Sequence, residues 1–552
     1  MEGTARDEST TPAGEEAPPG DTTGPGRLDA AEGPGRHSAG QAAAGPAPDA
    51  GQDPTGEAAA NPAPRAGQDP TEHATTNPTP DAELDAGSGG GTSAGVVRAM
   101  VLRARAVAGR HRWFAGVLAL GVMLRVVTML GFRPVLWFPD SYTYIVTVFH
   151  PRPDLVRPAG YSMFLKLLEP FHSFALVAAV QHLMGLAVGV MVYAAARRTR
   201  MWVRTLAAAP VLLDAYQVEL EHLLVSDTLF MFLVAGAVVL AIRRDVSWRL
   251  AAGVGLLLAA ATLTRTIGQP LVVLVACWFL LRRRIAVTGV MLVAALVPVM
   301  AYMGWFYATY DRMGLVGANG VFLYARTQAF ADCRRMDPPP DLRVLCDPRA
   351  PEDRPASQEY IWSPDSPLVR LPGITFSRAN DDLAGRFAML AIRSQPLDYA
   401  GSIVSELART FTWGRPVYPD QEIYDYYEFP EGQPGPPGRY AAQLGAQLAE
   451  DRYEGAPIGT RVVEPFAGWM RMYQDVVRLP GTVLLIVLLA PLALSVVRRR
   501  SEMGWLLPWS MAWALLVVPA AVAEFDYRYV LPAVPLACLA AALATRSDQV
   551  KP

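Results

Sequence analysis

The sequence predicts an all-α polytopic membrane protein of about ten transmembrane helices, with a mixed, mainly helical domain outside the cytoplasm. Three observations predict it. Apolar segments near bilayer length recur between residues 113 and 545. Arginine gathers in alternate short loops between them. The first 98 residues hold almost no large apolar side chain. Of 552 residues, 51% are hydrophobic and only 18% are charged, against a usual charged share of about 25%. The formal net charge of -2 gives no basic field for nucleic acid.

Residues 1–98 read as a disordered cytoplasmic tail. They are rich in Ala, Gly, Pro, Thr, Asp and Glu, and cannot bury enough apolar surface to offset the entropy of ordering. Ala50-Gly51-Gln52-Asp53-Pro54-Thr55 returns as Ala66-Gly67-Gln68-Asp69-Pro70-Thr71, which reads as a duplicated linker. No basic start and apolar core mark a signal peptide.

A helix needs about 20 apolar residues to cross a bilayer. The candidate spans are 113–132, 174–196, 203–218, 222–242, 250–264, 269–281, 285–307, 480–497, 504–523 and 529–545. Arginine sets their direction, because the cytoplasmic side carries the excess in short loops. One set of loops holds Arg98, Arg103, Arg105, Arg110 and Arg112, then Arg197, Arg198, Arg200 and Arg204. It continues with Arg243, Arg244, Arg249, Arg282 to Arg284, Arg498 to Arg500, Arg546 and Lys551. The alternate set holds only Arg133, Arg152, Arg157, Lys166, Arg265 and Arg528. This alternation fits ten spans with both termini inside, and it requires 250–281 to split into two. An N-terminal membrane module then covers 99–307, C-terminal membrane helices cover 480–545, and a short cytoplasmic tail covers 546–552.

Two outer segments follow from that count. One is the loop 133–173. The other, 308–479, is long enough for a domain. Within it, Asn380 to Thr412 shows helical periodicity broken at Pro396. Cys333 and Cys346 lie there and form a candidate disulfide if the segment faces an oxidising compartment. Cys277 and Cys538 fall in apolar segments and read as small hydrophobes. No cysteine or histidine spacing marks a metal site.

The loop 133–173 carries the most chemistry. It reads Trp137-Phe138-Pro139-Asp140-Ser141-Tyr142-Thr143-Tyr144, then Arg157-Pro158-Ala159-Gly160-Tyr161-Ser162. Further on come Glu221-His222-Leu223-Leu224-Val225-Ser226-Asp227-Thr228-Leu229-Phe230 and Thr264-Arg265. Ile392-Arg393-Ser394-Gln395-Pro396-Leu397-Asp398-Tyr399 and Tyr527-Arg528-Tyr529-Val530-Leu531-Pro532 complete the set. In this order, over roughly 112–545, the chain resembles the GT-C superfamily of membrane glycosyltransferases. The closer resemblance is to bacterial polyprenyl-phosphate-dependent members, akin to protein O-mannosyltransferases and lipid A aminoarabinose transferases. The chain departs from that pattern in three ways. It has ten candidate spans against eleven or more, Ala159 stands where a second proline is common, and the second outer loop lacks paired acids.

The resemblance implies transfer of a hexosyl or pentosyl group from a polyprenyl-phosphate donor to an extracytoplasmic acceptor hydroxyl on a glycan, lipid or protein, with inversion. It places the site at the outer face of the cell membrane. The chemistry asks for a carboxylate beside the attacked anomeric carbon, as base and as electrostatic support. Asp140 is the candidate, with helix N-capping as its alternative role. The leaving phosphate asks for cations, and Arg157, Arg265 and Arg528 break the positive-inside pattern on that face. Snorkelling, or pairing with acids such as Asp526 or Glu524, would also account for them. Tyr161, Glu221, His222 and Asp227 are candidate substrate contacts; the aromatic belt, or a polar helix end, accounts for them equally. Relatives include both divalent-metal-dependent and metal-independent enzymes, and no ligand cluster in this sequence decides between the two. A transporter or flippase would show span-level repeats and mid-bilayer charges, and a non-catalytic scaffold would be indifferent to Asp140.

Overall fold

The computed structural model describes residue 109 and residues 111–432, 434–498 and 503–546. The tail 1–98, residues 547–552, and Arg98, Arg103, Arg105, Arg110, Arg499, Arg500 and Lys551 lie outside the described residues. The described chain is helical, apart from one short two-stranded pairing.

Each of the ten predicted spans contains a helix. In order these are α1 (Arg112–Gly131), then, after β1 (Phe132–Arg133), α2 (Pro139–Phe149) and α3 (Gly160–Leu168) of the first loop, α4 (Phe174–Ala195) and α5 (Met201–Leu213). There follow α6 (Ala215–His222), α7 (Asp227–Ala241), α8 (Trp248–Thr264), α9 (Gly268–Leu281) and α10 (Ile285–Tyr310). Four described helices are long and apolar enough to cross a membrane alone, or five if one bent pair counts as a span. Others, α5 and α7 to α9 among them, have 13 to 17 residues. At 1.5 Å per residue they reach roughly 20–26 Å, short of a hydrocarbon core of about 30 Å. Helix length and composition by themselves thus account for four or five of the ten expected spans among the described residues. The apolar helices still present Met123, Val126, Leu183, Val190, Leu206, Leu256, Val273, Val293, Val297 and Ile486 outward. Such extensive apolar exposure suits lipid, and the chain is a multi-pass membrane protein.

Two boundaries have local causes. The expected span 203–218 stops at Leu213, because Asp214 turns the backbone and caps α6, accepting from the N–H groups of Tyr216 at 2.9 Å and Gln217 at 3.2 Å. The expected break inside 250–281 is present. Arg265 is extended between α8 and α9. The Arg-rich turns also meet: Arg282 donates to the carbonyls of Arg243 at 2.8 Å and Arg244 at 3.2 Å, joining two loops that the arginine pattern assigned to one side.

The segment 308–479 is tied into the rest of the chain at several points, and the described residues cluster as one unit. Its core joins α11 (Asn319–Thr327) to α12 (Arg378–Ser394) around Tyr324, Tyr360 and Phe387. Asp381 binds the first turn of α11, accepting from Gly320 N at 2.7 Å and Val321 N at 3.0 Å. The predicted helical stretch divides at Pro396 into α12 and α13 (Pro396–Thr410). Beyond it, α14 (Tyr440–Leu448) packs on α2 of the first loop, and β2 (Arg461–Val462) pairs antiparallel with β1. Then come α15 (Phe466–Val476), α16 (Gly481–Arg498), α17 (Leu506–Val522) and α18 (Val534–Ala544).

Cys333 and Cys346 are disulfide-bonded, at a separation of 13 residues. A loop of that size is worth about 3 kcal/mol through the unfolded chain. Replacing both cysteines with Ser is expected to lower the thermal midpoint of purified protein by several degrees. An unchanged midpoint, with and without reductant, would count against a stabilising bond.

Candidate functional site

Four of the sequence motifs converge on one cavity of about 1020 Å³. Its walls include Asp140, Arg157, Asp227, Arg265, Asp526 and Arg528, with Phe230, Phe322, Leu515 and Val518 among the apolar lining residues.

Asp140 is not a cap. The cap of α2 is made by Ser141, whose hydroxyl accepts from Phe138 N at 3.0 Å and donates to Leu224 O at 2.8 Å. The Asp140 carboxylate is free to accept from Arg157 and, at 3.2 Å, from Arg528 Nη1. Burial alone would raise this carboxyl, but the two guanidiniums outweigh it and hold it at about 2. It is a carboxylate at neutral pH.

Each arginine is aimed by its own support. Asp154 Oδ1 accepts from Val156 N and Arg157 N, both at 2.8 Å, in a turn that fixes the Arg157 backbone. Arg265, at the end of α8, pairs with Asp227 in the first turn of α7 and lies 4.7 Å from the Tyr529 ring. Arg528 donates from Nε to Asp526 at 3.0 Å and sits 4.5 Å from the Phe138 ring. Three acids, Asp140, Asp227 and Asp526, thus face three arginines, and the cluster is neutral. Acid pairing, the alternative to phosphate binding, is present at all three arginines, through Asp526 for Arg528 and through Asp140 and Asp227 for the other two, and not through Glu524. One oxygen of Asp227, Oδ2, is buried without a hydrogen-bond partner.

Gly160 explains how the first loop meets the Thr264-Arg265 motif. A Cβ at Gly160 would collide with the backbone of Leu263 and Thr264. No side chain can shift to make room. Gly160→Ala is expected to push α3 off α8, displace Arg157 relative to Arg265, and reduce activity at least about tenfold, in line with the steep rate dependence on positioning. Activity assayed at matched expression checks this; a fully active variant would show that the contact is slack.

Three predicted contacts fall outside the cavity wall. Tyr161 is fully buried, and its hydroxyl donates to Gln181 Oε1 at 2.7 Å. Glu221 and His222 are also fully buried. Arg125 Nε and Nη2 donate to the two Glu221 oxygens, each at 2.7 Å. His182 Nδ1 lies 3.1 Å from Glu221 Oε2, and its Nε2 lies 3.1 Å from His222 Nδ1. His222 Nε2 donates to Phe132 O at 2.6 Å. Helix α6 is buried throughout, so this end of the motif builds the protein interior, and Ser226, Asp227 and Phe230 are the motif residues that reach the cavity. Arg125 was the missed partner; an arginine inside an apolar span is itself the signal, since it must be paired. Among the described residues no group of three or more His, Cys, Asp or Glu could hold a metal ion.

No protein-family model and no curated protein matches the chain. Two solved structures are similar to it. The S. cerevisiae protein O-mannosyltransferase Pmt1–Pmt2 complex, bound to the sugar donor, shares 16% identity at a TM-score of 0.30, over 40% of this chain and 36% of that one. The chain therefore spans about a third of that relative's length. ArnT from Cupriavidus metallidurans, in the apo state, shares 12% identity at a TM-score of 0.28, over 79% of this chain and 77% of that one.

Proposed function

We propose that the protein is an inverting membrane glycosyltransferase, moving a sugar from a polyprenyl-phosphate donor to an acceptor hydroxyl outside the cytoplasm. The observation that carries this reading is one carboxylate held by two guanidiniums, with a third beside them, in a cavity that also has apolar lining. An amphipathic donor needs those surfaces together: cations for its phosphate, apolar walls for its first isoprene units.

In the reaction the acceptor oxygen bonds to the anomeric carbon as the bond from that carbon to the phosphate oxygen breaks. The acceptor proton passes to Asp140, and the lipid phosphate leaves with the bonding pair, its charge met by Arg157, Arg265 and Arg528. Asp140 bonded to both arginines is a weak base. A donor phosphate competes for the same N–H groups, and a carboxylate that loses them gains proton affinity. Donor binding thereby primes the base. The lining also offers Trp362, Phe376, Glu359 and Glu422, aromatic and acceptor groups suited to hydroxyls. The arginine pattern puts the site at the extracytoplasmic face and both termini inside.

The test is transfer from a panel of radiolabelled polyprenyl-phosphate sugars into a total envelope extract, using membranes that contain the protein. One donor is expected to label product. If no donor labels product or binds the purified protein, the reading fails; lipid-sugar translocation without transfer would indicate a flippase.

A further inference from the structure

We propose that Glu524 is a positioning residue, whose carboxylate fastens two outer segments to the link that delivers Arg528 to Asp140. Its effect on rate rests on the glycosyltransferase reading, and its effect on the outer segments rests on geometry alone. Glu524 lies between α17 and the turn beginning at Tyr527. Its Oε1 accepts from Ser357 N at 2.9 Å and Tyr418 Oη at 2.8 Å, and its Oε2 accepts from Gln358 N at 2.9 Å. The next residue, Phe525, donates its N–H to Glu406 Oε2 at 3.0 Å. Two residues on, Asp526 orients Arg528, which reaches Asp140. Gln358 extends the tie by donating from Nε2 to Asp420 Oδ2 at 2.5 Å. Ser357, Gln358, Asp420, Glu524, Asp526 and Arg528 all line the cavity. One carboxylate therefore joins the cavity rim to the arm bearing its arginine.

The arrangement has a second state. Tyr418 Oη also lies 3.2 Å from Glu406 Oε1 and has one proton to give. With Glu524 ionised, that proton goes to Glu524. With a proton on Glu524 Oε1, Glu524 donates to Tyr418 and Tyr418 donates to Glu406. The protonated oxygen then becomes a poor acceptor for Ser357 N–H, and the 357–358 turn loosens.

Burial, opposed by the Tyr418 hydroxyl and reinforced by Glu406, pushes the Glu524 carboxyl up to about 7. The ionisable groups around it are Glu406 and Arg409 of α13, Tyr418, and buried Arg326 of α11, with Asp420 and Glu359 beyond Gln358 and Asp526 on its own link. Arg409 sits 3.6 Å from Glu406 Oε1 and 4.0 Å from the Tyr418 ring, so it favours charge on Glu406 rather than on Glu524. The sign follows. The fastened state is populated above neutral pH and lost as pH falls through about 7. Stability runs the other way: the folded chain binds this proton more tightly than the unfolded one, so ionisation lowers folding stability between about 4.5 and 7.

The test uses the full chain in lipid nanodiscs between pH 5.5 and 8.5. Amide hydrogen exchange of a peptide spanning 355–362 is compared with that of Glu524→Gln, whose neutral amide mimics the protonated state. Wild type is expected to exchange about tenfold more slowly than the variant at pH 8, and to converge with it below pH 6. Transfer rate in wild type is expected to fall about tenfold from pH 8 to 6, and to lose that limb in Glu524→Gln. Tyr418→Phe removes the hydroxyl that favours the carboxylate, so it should move the midpoint upward. An exchange ratio that is the same at every pH, or a wild-type limb kept in Glu524→Gln, overturns the proposal. An exchange step in a protein that transfers no sugar keeps the clamp and sinks the glycosyltransferase reading.

Discussion

Asp140→Asn is expected to lower sugar transfer by about 10²–10⁴-fold, the usual worth of a positioned general base. The amide keeps the shape of the side chain and one oxygen for an arginine, but it cannot take the acceptor proton. The cap of α2 is untouched, because Ser141 makes it. Folding should suffer modestly. Asp140 titrates at about 2, below its ordinary 3.8, so its ionised form adds stability above the ordinary value, which is lost as pH falls toward 2. At neutral pH the substitution removes all of it, on the order of 2 kcal/mol. Donor affinity provides the sharper readout. Asp140 competes with phosphate for Arg157 and Arg528, so the variant should bind donor as tightly as wild type or more tightly while its turnover collapses. Full transfer at matched expression would remove Asp140 from the mechanism. Weaker donor binding with proportionate loss of rate would make it a structural counter-ion.

Sequence reading picked out several residues that the fold gathers around one cavity, for a physical reason. Asp140, Arg157, Asp227, Arg265 and Arg528 are polar residues at the ends of apolar segments, where a charge stands out against its surroundings. What joins them is tertiary. Arg528 meets Asp140 across 388 residues, and no local pattern encodes that meeting. Of the three residues off the cavity wall, Glu221 and His222 precede Asp227 by six and five residues and look in sequence like the same polar helix end. Whether such an end faces a cavity or the interior depends on the direction α6 takes after Asp214, which hydropathy does not show. Span counting met a similar limit. Arginine alternation identified the loops, but several helices between them are shorter than a hydrocarbon core. The outer segment read as a unit because it is long, yet β2 and α14 pack on the first loop, through contacts between distant stretches of chain.

Glu221→Ala is the second large effect, and it should appear in the fold rather than in the chemistry. Glu221 is fully buried and serves three partners: Arg125 through two bonds, His182, and Gln217, which donates from Nε2 at 3.1 Å. Arg125 is satisfied at every N–H, because Nη1 also reaches Gly121 O and Leu212 O and Nη2 reaches Val211 O. Removing the carboxylate leaves a guanidinium uncompensated among apolar helices, a loss of about 3–5 kcal/mol. Gly185 shows how tightly the carboxylate is held, since a Cβ there would overlap it. The variant is expected to give little monodisperse protein in detergent and a thermal midpoint lowered by roughly 10 °C. Replacing both partners, as Arg125→Met with Glu221→Leu, should recover part of that loss, because a matched apolar pair often substitutes for a buried ion pair at little cost. A Glu221→Ala protein of normal stability, with donor or acceptor affinity lost, would return Glu221 to the substrate contacts that its place in the sequence suggested.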